Sequence, residues 1–132
     1  MEKNPKVLVL RDLTYAQPDM EGAAEKILGF FGGPEAILHK GKRVLLKVNL
    51  LLPREPEEAT TTHPALVAAL AKKLVQAGGA VTIADSPGGP YTEGALRRIY
   101  RACGMLWAAE GRQVVLDKGL TPDRFLNNAK MY

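Results

Sequence analysis

Residues 43–84 read RVLLKVNLLLPREPEEATTTHPALVAALAKKLVQAGGAVTIA, and this stretch decides the fold. Val44, Leu45 and Leu46 form a continuous apolar run, the pattern of a central strand covered on both faces, so a strand is expected over 43–51. Residues 53–62 make a polar loop carrying Glu55, Glu57 and Glu58. Pro64 fits the first position of a helix. Leu66, Val67, Leu70, Ala71 and Leu74 then recur on one face while Lys72, Lys73 and Gln76 face water, which predicts a helix from 64 to about 77. Gly78-Gly79 ends it, and Ala80-Val81-Thr82-Ile83-Ala84 reads as the next buried strand. Strand, helix, strand in this rhythm is a βαβ unit with parallel strands and a right-handed crossover.

The flanks extend the alternation. Upstream, Val7, Leu8, Val9 and Leu10 predict a strand over 6–13. Pro18 and Asp19 punctuate a turn over 15–19. Ala23, Ala24, Ile27, Leu28 and Phe31 predict a helix over 20–31, stopped by Gly32-Gly33-Pro34, with a short helical turn over 35–38. His39, beside Lys40, falls in an exposed polar turn. Downstream, residues 85–91 form an irregular loop. Thr92 is placed to cap a helix running to about 102, with Ala95, Leu96, Ile99 and Cys103 facing inward. A last strand is expected over 113–116. The fold class is therefore α/β, a Rossmann-like three-layer sandwich with a mostly parallel sheet of about four strands and helices on both faces. One domain spans 1–117, and residues 118–132 are a tail, either disordered or docked on a neighbour.

Composition sets the outer bounds. The chain has 132 residues, 46% hydrophobic and 24% charged, a globular balance that excludes a wholly disordered chain. No apolar run approaches the ~20 residues of a membrane-spanning helix. Met1-Glu2-Lys3-Asn4-Pro5-Lys6 lacks the apolar centre of a signal peptide, so a cytoplasmic location is expected. The net charge of +4 is modest, and the aromatic residues do not interleave with a basic cluster, so nucleic acid is not the expected partner. Arg97, Arg98 and Arg101 read as a solvated helix surface. The single cysteine, Cys103, cannot form an internal disulfide, a structural zinc site or an iron–sulfur cluster alone, and its place on an apolar helix face marks it as core.

Ligands of open α/β sheets bind beyond the C-terminal ends of the strands, and three polar groups fall there. Lys47 and Asn49 share one face of the strand end, where a lysine either meets an anion or pairs with one of Glu55, Glu57 and Glu58. Thr60-Thr61-Thr62-His63 precedes the Pro64 helix, where hydroxyls and unpaired N–H groups either attract an anion or only cap the helix. Asp85-Ser86-Pro87-Gly88-Gly89 is either an anion-binding loop that a ligand approaches closely or an ordinary turn. The candidate ligand-binding set is thus Lys47, Asn49, Thr61, Thr62, His63, Asp85, Ser86, Gly88 and Gly89. His63 and Asp85 are the candidates for proton transfer, and no metal site is expected. Neither G-x-G-x-x-G nor G-x-x-x-x-G-K-[ST] occurs, so neither nucleotide fingerprint is present.

Taken in order, Leu45-Leu46-Lys47-Val48-Asn49-Leu50, Thr61-Thr62-His63-Pro64 and Asp85-Ser86-Pro87-Gly88 resemble the family catalogued as domain of unknown function 362. Its members show a K-P-N strand end, a T-H-P helix start and a D/E-S-P-G loop at this spacing. Val48 stands where the family has proline. The resemblance covers residues 6–117. It implies an uncharacterised bacterial or archaeal protein, of a kind often fused to ferredoxin-like modules with [4Fe-4S] clusters. This chain lacks the cysteines for such a module, so no cofactor is expected in it and any cluster belongs to a partner. Family members also continue into a second half, which implies a second-lobe partner. Three functional readings follow. The first is a small-anion site, for phosphate or carboxylate, at the strand ends. The second is a non-enzymatic redox-accessory or interaction module for an iron–sulfur partner. The third is a truncated, inactive relic. Whether the chain is an enzyme is left open. The unpaired edges of a short open sheet make a homodimer a further expectation.

Overall fold

The structure is a computed structural model that describes residues 5–38, 42–90 and 92–119. His39, Lys40 and the tail from residue 120 onward lie outside the described residues. In chain order the elements are α1 (Gln17–Phe30), α2 (Pro34–Ile37), β1 (Arg43–Lys47), α3 (Pro64–Gln76), β2 (Ala80–Ala84), α4 (Glu93–Ala102), α5 (Met105–Ala109) and β3 (Val114–Leu116). A 3₁₀ turn, Pro56–Glu58, interrupts the polar loop after β1.

The three strands form one parallel sheet in the order β1-β2-β3. The fold is α/β, as the sequence predicts, with three strands among the described residues in place of about four. Val44, Val81 and Val114 lie side by side in one row, and Leu46, Ile83 and Leu116 in another. Side chains of neighbouring parallel strands in register point the same way, so both rows present one face. That face is packed by the helices. Ile83 joins Val67 and Ala68 of α3, Leu96, Ile99 and Tyr100 of α4, and Met105 and Ala108 of α5. Val81 joins Ala71 and Leu74 of α3 with Leu28 of α1. Met20, Ala23 and Ala24 of α1 pack on Ala69 of α3.

The intervening row, Leu45, Thr82 and Val115, presents the opposite face. Leu45 is 60% exposed and Val115 61%. The expectation of a central β1 covered on both faces is corrected here. Among the described residues β1 is an edge strand, and the helices lie on one side of the sheet. The reason is topological. Crossovers between parallel strands are right-handed, and the order β1-β2-β3 steps in one direction, so both crossovers land on the same face. Covering the second face requires the chain to reverse its direction across the sheet.

The strand expected over 6–13 is also corrected. These residues join no strand ladder, and Val7 is 81% exposed. Leu8 and Leu10 instead line a recess of about 360 Å³ with Met20, Ala23, Ile27 and Leu66 of α1 and α3. An apolar run signals burial but does not name a pairing partner.

The other boundaries follow local chemistry. Helix α1 starts at Gln17, three residues earlier than expected, because Pro18 and Asp19 occupy its first turn instead of a separate turn. Phe31, expected in its buried face, sits past the helix end and is 62% exposed. Helix α3 begins with Pro64 at its first position. It ends where the Gly78 N–H donates to the Val75 carbonyl and the Gly79 N–H to that of Leu74, with Gly78 at φ +86°. A side chain at Gly79 would meet Leu38 at 2.7 Å, so α3 packs close to the chain entering β1. Thr92 caps α4 by accepting the Ala95 N–H at 3.2 Å. Helix α5 was not foreseen, because five residues are too few to show a helical period. Tyr100, set among arginines in the sequence, is buried, and its hydroxyl donates to the Asp117 carbonyl at 2.7 Å.

Candidate functional site

The C-terminal ends of β1 and β2 are joined by one carboxylate. Asp85 follows the last residue of β2. Its Oδ1 accepts from the Lys47 ammonium at 2.7 Å, and its Oδ2 accepts from the Leu50 N–H at 2.7 Å. The Asp85 side chain is 6% exposed while that of Lys47 is 68% exposed. Burial pushes the Asp85 carboxyl up. The ammonium of Lys47 and the N–H groups of Ser86 and Leu50 more than offset it, leaving the group below the ordinary carboxylate range. Lys47 therefore pairs with Asp85, and not with Glu55, Glu57 or Glu58 as one sequence reading had it.

The loop between β1 and α3 is tied back on itself. Asn49 adopts φ +59°, a left-handed conformation that asparagine tolerates. Its side-chain amide donates to the Thr60 carbonyl at 3.1 Å, and its own carbonyl accepts from the Thr61 hydroxyl at 3.2 Å. The Thr62 N–H donates to the Val48 carbonyl. Asn49 and Thr61 thus hold the loop in shape.

His63 is the cap of α3. Its Nδ1 accepts the Ala65 N–H at 3.2 Å, and its ring stacks on Tyr15 with centroids 3.5 Å apart. Because Nδ1 accepts that N–H, the proton of the neutral ring sits on Nε2, and burial lowers the ring's pKa against the raising influence of Glu57. The Leu66 and Val67 N–H groups both turn back to the His63 carbonyl, and Pro64 has none. The start of α3 therefore offers the rim its dipole without a ring of unpaired donors.

Ser86, Gly88 and Gly89 lie on the exposed loop after Asp85. Gly89 has φ +94°, and a side chain built there would meet open space. The structure thus joins Lys47 to Asp85 and Asn49 to Thr61, places His63 at the helix start, and leaves Ser86, Thr62 and the two glycines exposed. Among the described residues, no cluster of three or more His, Cys, Asp or Glu could hold a metal ion. Cys103 is buried, and burial raises its thiol pKa, as fits a core residue.

A larger cavity of about 650 Å³ opens elsewhere, between α1, α3 and α5, lined by Tyr15, Met20, Glu21, Lys72, Trp107 and Arg112. Sequence patterning missed it because its floor is alanine, at positions 65, 68 and 69. Its cations are occupied. Lys72 pairs with Glu21 at 2.6 Å, and Arg112 donates to the carbonyls of Trp107 and Glu110 while lying over the Trp107 ring. Volume alone does not make it the anion site.

Among the described residues no helix is long and apolar enough to cross a membrane. No solved structure matches the chain. The chain is 36% identical over 81 residues to the "Thylakoid-associated protein sll1697" of Synechocystis sp., a match that covers 61% of this chain. It spans about a quarter of that relative's length. The family model described as "Domain of unknown function (DUF362)" matches residues 44–130, from β1 through the rim and beyond the last strand. The match takes in most of the sequence, and the chain belongs to that family.

Proposed function

We propose that the chain binds a small anion, a phosphate or carboxylate group, at the C-terminal ends of β1 and β2, with Lys47 as its anchor. The observation that carries this reading is the asymmetry of the Lys47–Asp85 pair. A nearly buried carboxylate holds the ammonium of a lysine whose side chain is mostly in solvent. An ammonium has three donors, and Asp85 takes one, so the others serve a ligand. Both Asp85 oxygens are engaged within the protein, which makes Asp85 a positioning group and not a ligand-binding one. The dipole of α3 adds to the attraction. The Ser86 hydroxyl and the open backbone at Gly88 and Gly89 supply neutral donors beside it.

The ion pair is neutral overall, so binding through this rim alone is weak, on the order of millimolar. A second lobe or a partner completing the site would tighten it. The reading is tested by soaking crystals in sodium phosphate. Phosphate density in hydrogen-bond reach of Lys47 Nζ is the expected result. Clean solvent there, with phosphate bound at other places, would remove the assignment.

A further inference from the structure

The anion anchor and the open face of the sheet form one continuous surface. The side chains of β1 alternate, with Arg43, Leu45 and Lys47 exposed and Val44 and Leu46 turned toward the helices. Lys47 therefore follows Leu45 on the same face, about 7 Å further along the strand. The register carries that face across the sheet. Leu45 stands beside Thr82 and Thr82 beside Val115, a span of about 10 Å from β1 to β3. Both aliphatic side chains are more than half exposed. At β1 this strip is flanked by two cations, Lys47 on one side and Arg43 on the other. The acidic groups at the strand ends are occupied. Asp85 is nearly buried and bound to Lys47 and the Leu50 N–H, and Asp117 accepts the Gly119 N–H at 2.8 Å.

An inorganic anion would use the ammonium and leave the aliphatic strip in water. An acid carrying an apolar chain uses both. Its head group meets Lys47, and its methylenes cover Leu45 and Val115, which takes apolar surface of both partners out of water. The diagonal from Lys47 to Val115, about 12 Å, is within reach of a medium-chain acyl group. We propose that the ligand of the rim is an amphiphilic acid, with its carboxylate or phosphate on Lys47 and its chain over Leu45, Thr82 and Val115. This inference rests on the anion reading of Lys47 given above and names the ligand class for that site. Charge complementarity selects the acid, because an uncharged or cationic amphiphile gains the strip without the ammonium.

The test titrates the full chain with octanoate, acetate and 1-octanol and follows amide chemical shifts. Octanoate is expected to bind at least about tenfold more tightly than acetate or octanol. Its saturable shifts should include Leu45, Thr82 and Val115 together with Lys47. The gain of octanoate over acetate should shrink to under about twofold when Leu45→Asn and Val115→Asn are introduced together. Both residues are exposed, and the unchanged signals of Ile83 and Tyr100 check that the double variant is folded. Equal binding of octanoate and acetate, with Leu45, Thr82 and Val115 silent, would overturn the inference while the anion reading stands. Octanol binding as tightly as octanoate would overturn it by making the strip a purely apolar patch. A response to phosphatidylglycerol vesicles without one to octanoate would overturn it by giving the face to a lipid surface. Silence at Lys47 with both acids would remove the anion reading itself, and this inference with it.

Discussion

Leu45 and Leu46 are the same residue type, one position apart on β1, and they meet opposite fates. Leu46 packs into the core beside Ile83 and Leu116, while Leu45 is left more than half exposed beside Thr82 and Val115. At β1 and β3 the covered face carries Val44, Leu46, Val114 and Leu116, while on the open face Leu45 and Val115 stand with Arg43 and Lys47. The right-handed crossovers step in one direction and so lie over the first of these faces. Lys47 belongs by alternation to the open face, which is why its side chain is mostly exposed while its partner Asp85 stays nearly buried.

The comparison breaks most readily at the core. Ile83→Ala is expected to cost about 2–5 kcal/mol, because Ile83 is fully buried between α3, α4 and α5. Leu45→Ala is expected to change stability by under about 0.5 kcal/mol. Denaturant unfolding of the two variants measures both, and similar losses would mean that the open face is covered.

Asp85→Asn comes next. It is expected to cost about 1–3 kcal/mol, mostly through the Leu50 and Ser86 N–H groups, since the pair with exposed Lys47 contributes little. The sign with pH follows from a carboxyl held below its usual range. The wild-type advantage is fully present above about pH 4, the unfolded value. It is lost as pH falls through the lower folded value. Unfolding of both proteins between pH 6 and pH 2 checks this, and an advantage that grows on acidification would contradict it.

His63→Asn is expected to have a smaller effect than Asp85→Asn, under about 1 kcal/mol near neutrality, because asparagine keeps a capping acceptor. Its signature is in the pH dependence. Burial, the first cause, lowers the His63 pKa, so the wild type should lose stability as pH falls below about 6.5, where the unfolded histidine takes up a proton. The Asn variant should lack that component. Thermal unfolding at pH 7.5 and pH 5.5 separates the two.

The order of elements from β1 onward, α5 apart, was legible in the sequence. Pro64, Gly78-Gly79 and Thr92 are boundary residues whose chemistry is local, and each acts as its type requires. Strand pairing was not legible, because it depends on partners far away in the chain. Val7 to Leu10 and Val44 to Leu46 look alike as apolar runs, yet only the second joins the sheet. The rim was legible as a set of residue types but not as a set of contacts. Lys47 and Asp85 lie 38 positions apart, and only the parallel register of β1 and β2 brings their strand ends together. Asn49 and Thr61 look like ligand-binding groups in the sequence and prove to hold their own loop.

The most direct test of the rim is a titration of the full chain with inorganic phosphate, followed by amide chemical shifts, in the wild type and in Lys47→Met. The account predicts saturable shifts at Lys47, Ser86, Gly88 and Gly89 in the wild type, and at least about a tenfold weaker response in the variant, with the fold unchanged. Equal shifts in the two proteins, or wild-type shifts that avoid these residues, would contradict it.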